Sequence, residues 1–92
     1  MNPSPSTKIR RSEKVTFQKV AEEAILIHLD TGTYFSLNNI GTEFWELFDG
    51  EKSIKELAEI VASKYKVDAE MVTTDLIELV EKLAEDALVL AA

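Results

Sequence analysis

This chain of 92 residues has no cysteine, a single histidine, three isolated glycines and two prolines. The missing thiols exclude disulfides, thiol nucleophiles and thiolate-bound metals. One histidine, His28, excludes a two-histidine metal site. Acid–base catalysis by it would also need oriented partners and a pocket, which the sequence does not suggest. Gly32, Gly41 and Gly50 stand alone, so there is no glycine-rich loop to cradle a phosphate. Both prolines fall within residues 1–12. Aromatics make up 8% of the chain, which points to a modest core, and Trp45 belongs to it. No apolar run approaches the roughly 18 residues of a membrane-spanning helix. The N-terminus lacks the apolar stretch of a signal peptide. The expectation is one domain of a soluble, cytoplasmic protein that is no enzyme, holds no cofactor and binds no membrane.

The formal charge of −7 hides an asymmetry. Residues 1–19 carry five basic groups against Glu13, whereas residues 20–92 carry 5 basic and 16 acidic groups, a net of −11. An acidic body repels phosphate backbones, so nucleic acid is not an expected partner. It suits a basic peptide or a basic protein surface, or it serves only solubility. Residues 1–12 are polar, without periodicity, and read as a flexible basic arm ahead of a domain over residues 13–92.

Residues 15–20, 24–29 and 33–37 read as three strands. Asp30-Thr31-Gly32 joins the last two, with Gly32 suited to the left-handed position of a three-residue loop. That loop pairs Leu29 with Thr33, Ile27 with Phe35 and Ile25 with Leu37, placing these apolar residues on one face. Tyr34 then lies at a non-hydrogen-bonded pair with His28. Its main-chain groups and those of Ser36 point away from the second strand, free for another chain if the third strand lies at the edge.

Three helices follow. Asn38 or Asn39 caps the first, which runs to about Phe48, buries Ile40, Phe44, Trp45 and Phe48, and ends at Asp49-Gly50. Ser53 and Glu56 form an S-x-x-E capping box opening the second, which buries Ile54, Leu57, Ala58, Val61 and Tyr65. Asp68 caps the third, over residues 69–86, and a short strand over 88–90 closes the chain. In helix 69–86, Val72, Leu76, Leu79, Leu83 and Ala87 make a narrow apolar stripe, which Thr73, Ile77, Val80 and Ala84 widen on one side. A wide buried face and one wall of an apolar groove, rimmed by Asp75, Glu78 and Glu81, both fit this pattern.

The run D-T-G-x-Y-F-S-L-N-x-x-G-x-x-x-W-E-L-x-D-G, then S-I-K-E-L, then V-x-x-D-L-x-x-L-V-x-x-L, resembles the PqqD-like family over residues 13–90. These are the RiPP recognition elements, small domains that bind the leader of a ribosomally made precursor peptide. The resemblance implies an α+β, winged-helix-like fold, with an N-terminal three-stranded antiparallel sheet followed by three helices. It implies leader capture by strand addition beside Thr33, Tyr34, Phe35, Ser36 and Leu37. The leader would also pack on helix 69–86 at Thr73, Leu76, Ile77, Val80 and Ala84, with the acidic rim of Asp75, Glu78 and Glu81 selecting basic leader residues. The partners implied are a precursor peptide and a maturation enzyme, such as a radical SAM protein or a leader peptidase, served by a free-standing member. Two alternatives remain. One is a self-associating module, a homodimer by strand or helix exchange at the same edge. The other is winged-helix DNA binding, which the acidic body disfavours.

Overall fold

A computed structural model describes every residue from Met1 to Ala92. Its elements, in order, are β1 (Lys8–Arg11), β2 (Val15–Val20), β3 (Glu23–His28), β4 (Tyr34–Leu37), α1 (Asn39–Leu47), β5 (Asp49–Ser53), α2 (Ile54–Tyr65), α3 (Ala69–Glu85) and β6 (Val89–Ala91). The strands form two antiparallel sheets, ordered β2-β3-β4 and β5-β1-β6. Three strands, three helices and a final short strand lie where the sequence places them, in an α+β fold.

The helix ends follow local chemistry. Asn38 Oδ1 accepts from the Gly41 N–H at 2.8 Å and starts α1. Ser53 and Glu56 form the reciprocal capping box of α2: Ser53 Oγ accepts from the Glu56 N–H, and the Glu56 carboxylate accepts from the Ser53 N–H, which holds that carboxyl below its ordinary range. Asp68 caps α3. Such caps satisfy the N–H groups that a helix leaves free at its start.

The basic N-terminal stretch is not a flexible arm over its whole length. Residues 8–11 form β1, the central strand of the second sheet, between β5 and β6. Ile9 is 0% exposed within the core while Lys8 and Arg10 face solvent. Upstream, the Thr7 and Pro5 carbonyls accept from the Ile54 and Lys55 N–H groups, the first donors of α2. One apolar residue among three cations hides this strand from a periodicity reading; long-range pairing creates it. β5 is equally concealed in the polar run DGEKS. Gly50 permits it, because its φ is +77° and a β-carbon there would lie 3.3 Å from both the Arg10 and the Ala92 β-carbons.

The β3–β4 hairpin differs from the expected register by one residue. Four residues, Leu29 to Gly32, form its loop, closed by Gly32 N–H to His28 C=O (2.8 Å) and His28 N–H to Thr33 C=O (2.9 Å). Gly32 has φ +74°, the left-handed turn conformation expected of it. The pairs are Ile27–Tyr34, Leu26–Phe35, Ile25–Ser36 and Ala24–Leu37. Ala24, Leu26 and His28 therefore face the core, and Ile25, Ile27 and Leu29 face outward. Because β3 is apolar on both faces, hydrophobic alternation does not choose between the registers; loop length does.

One cluster of 17 buried side chains joins both sheets and all three helices. Trp45 lies at its centre, edge-on to Phe17 (6.0 Å between centroids) and Phe48 (6.3 Å). The Arg11 guanidinium lies 5.8 Å from the Trp45 ring. On α3 the buried stripe is Val72, Leu76, Val80 and Leu83, with Leu79 half-buried and Ala87 exposed. The stripe is thus rotated toward Val80, because α3 packs chiefly on α2. Tyr65, expected in the core, is exposed at the end of α2.

Candidate functional site

β4 is an edge strand, paired with β3 on one side only. In an antiparallel ladder successive residues point their main-chain groups to alternate sides. Thr33 turns its carbonyl toward His28, so Phe35 and Leu37 also bond inward, and Tyr34 and Ser36 turn their N–H and C=O outward. No turn, loop or cap hydrogen bond engages the main chain of Tyr34 or Ser36. The outward direction expected for these groups holds, although Tyr34 lies opposite Ile27 and not His28.

The side chains of β4 divide the same way. Tyr34 is 70% exposed and Ser36 is exposed, whereas Phe35 is half-buried and Leu37 is in the core. Thr33 is half-buried and its Oγ1 bonds the Thr31 hydroxyl at 2.9 Å, so it serves the turn. Leu37 is held from beneath by α1, whose Gly41 backbone lies directly on it.

The α3 residues singled out by sequence do not form one surface. Leu76 and Val80 are buried in the core cluster and offer nothing to solvent. Ile77 and Ala84 are half-buried, packed on the core with one side uncovered. Thr73 is half-buried, donates to the Ala69 carbonyl (2.7 Å), and opens onto a cleft with Pro5, Lys55 and Glu59, none of them on β4. Asp75 and Glu81 are exposed on opposite flanks of the helix. On β4, Tyr34, Phe35 and Ser36 lie at the free edge, while Thr33 serves the turn and Leu37 the core. On α3 the structure leaves Ile77 and Ala84 as apolar surface. Half-buried Phe35 on β4 and Ile77 on α3 are linked through the core on which both pack.

A signal that sequence reasoning missed lies on the outer face of the first sheet. Val20, Ile25, Leu29 and Tyr34 are all exposed there, and no helix covers them. The one-residue register change put Ile25 and Leu29 there, whereas Tyr34 lies on the outer face in either register and Val20 follows the pairing of β2 with β3. No three His, Asp or Glu side chains converge to hold a metal, and no helix is long and apolar enough to cross a membrane.

Comparison with known proteins bears on this edge. The profile of a family described as "Coenzyme PQQ synthesis protein D (PqqD)" matches residues 23–89. A solved structure of TbiB1 in complex with the TbiA(beta) leader peptide superposes with a TM-score of 0.79 at 32% identity, covering 87% of this chain and 93% of that one. No curated protein matches the chain.

Proposed function

This chain belongs to the PqqD family, and on that premise we propose that it is a non-catalytic partner protein that binds the leader of a precursor peptide and presents it to a maturation enzyme. The leader adds as a fourth strand at the free edge of β4. It bonds to the main chain of Tyr34 and Ser36 while alternate side chains reach Phe35, Ile77 and Ala84. The observation that carries this reading is the outward, unpartnered main chain of Tyr34 and Ser36. The TbiB1 complex supports it, since that relative was solved with a leader peptide. Each new main-chain bond contributes about 0.5–1.5 kcal/mol net whatever the leader sequence, so specificity falls to the side-chain contacts. Asp75 or Glu81 favours basic leader residues, according to which flank of α3 the leader follows.

Calorimetric titration with the cognate leader, against a scrambled leader, tests the reading. Tyr34→Pro removes one outward N–H without touching a bond to β3, since proline is tolerated on an edge strand. Ile77→Glu places a charge against the apolar wall. Both are expected to weaken leader binding at least tenfold while far-UV circular dichroism is unchanged. Full affinity in both variants would sink the proposed groove.

The exposed Val20, Leu29 and Tyr34 favour a second reading, pairing of two copies through the same face. Its sign is a dimer that grows with concentration in light scattering without any peptide.

A further inference from the structure

A cleft of about 520 Å³ lies on the far side of α1, between the β2–β3 turn and the last turn of α2. Residues 39, 42, 43 and 46 of α1 form one wall, Lys64 and Tyr65 another, and Lys19 and Glu22 a third. No residue of β4 or α3 lines it.

Two oxygens within it are unsatisfied. Thr42 is 1% exposed, and its hydroxyl has no hydrogen-bond partner. Glu43 spends Oε1 on the Lys64 ammonium, and its Oε2 is buried with no partner in hydrogen-bond geometry, although burial and the neighbouring Glu43 carboxylate together raise the Tyr65 hydroxyl above its ordinary range. Unpaired buried polar atoms are costly, and where they occur they mark a missing partner. The charges also do not balance. Glu46 pairs with Lys19 at 3.1 Å and Glu43 with Lys64, while Glu22 has no ion pair. The missing partner is thus a donor carrying positive charge.

We propose that this cleft receives an arginine side chain from the surface of the maturation enzyme. The inference rests on the partner role proposed above. A guanidinium suits the cleft better than an ammonium because its planar fork offers five donors and is weakly hydrated. It satisfies Glu43 Oε2 and Thr42 Oγ1 together and stacks on the Tyr65 ring. Lys64 now stands there, its ammonium 5.6 Å from the ring centroid and its side chain largely in solvent, so it swings aside readily. Until then Lys64 keeps Glu43 paired, and Glu43 in turn holds the Lys64 ammonium above its ordinary range. A basic enzyme surface is the occupant favoured by the −11 charge of residues 20–92. Because the cleft shares no residue with β4, leader and enzyme bind at the same time.

The first test is amide NMR of the full chain titrated with N-acetyl-arginine methylamide, with its lysine counterpart for comparison. Saturable shifts at Glu22, Thr42, Glu43 and Tyr65, larger for arginine, are expected. Glu43→Gln should abolish them, and Thr42→Val should weaken binding about five-fold, the worth of one hydrogen bond. Thr42→Val removes an unpaired hydroxyl, so the fold is retained. No saturable shift, equal shifts with the lysine compound, or unchanged shifts in Glu43→Gln would overturn the site. The second test measures association with the maturation enzyme. Glu43→Gln should weaken it at least five-fold with leader calorimetry unchanged, and unaltered association would overturn the assignment to the enzyme. Loss of leader binding in the unsubstituted protein would instead defeat the proposed function itself.

Discussion

Gly41 of α1 lies directly on Leu37 of β4: a β-carbon at Gly41 would stand 3.2 Å from Leu37 Cδ2 and 3.3 Å from Asn38 Oδ1. The helix that supports the edge strand therefore touches it backbone to side chain. Leu37 is buried and Asn38 caps the same helix, so neither has room to retreat.

Gly41→Ala sets two effects against each other. Alanine favours the helix by about 1 kcal/mol. Overpacking a filled contact costs about 1–3 kcal/mol. Net destabilisation of about 1 kcal/mol is expected in urea unfolding. Leader affinity should fall with it, because α1 then pushes on β4.

Neighbouring residues on α3 should behave oppositely. Leu76→Ala empties a core position and should cost about 2–5 kcal/mol. Ile77→Ala, at a half-buried position, should cost clearly less in stability yet weaken the leader more. Paired urea and calorimetric curves check this. Equal stability losses would mean that Ile77 is a core residue.

Ile9→Ala tests the role of β1. The side chain is completely buried, so a loss of about 2–5 kcal/mol is expected in thermal or urea unfolding. In a flexible arm the same change would stay within about 0.5 kcal/mol.

Asp49 should show its role through pH. Its carboxylate accepts from the Glu51 N–H at 2.9 Å and from the Lys52 ammonium at 3.1 Å, and these bonds, the backbone one first, pull its pKa from 3.8 down to about 2. The folded value is below the unfolded one, so the stabilisation is complete above the unfolded pKa of 3.8 and disappears as pH falls through about 2. Asp49→Asn should lower the urea midpoint at neutral pH, and the gap to the parent should close near pH 2. Carboxyl-carbon NMR of Asp49 gives the midpoint directly.

The helices and their caps were legible because their causes are local. Ser53 and Glu56 meet within one turn, and Asn38 and Asp68 each reach an N–H two or three residues on. The three strands of the first sheet were legible from their β-branched and aromatic content. The β4 edge was read correctly in the direction of its main chain, although the register from which it was derived was off by one residue. That outcome owes something to geometry. Tyr34 and Ser36 keep their outward direction because the Thr33 carbonyl bonds back to His28, whichever face the β3 side chains take.

By itself the sequence determined the three helices with their boundaries, the three strands of the first sheet and the family, because these depend on residues close together in the chain or on a pattern carried along it. Only the tertiary structure decided that Lys8–Arg11 is a central strand, that Ala24, Leu26 and His28 face inward, and that Leu76 and Val80 are core while Ile77 stays half open. Each of those choices depends on which distant segment covers a face. A strand apolar on both sides, or a four-residue strand with one apolar side chain, contains no local signal that makes the choice; packing against β5, β6, α1 and α2 does.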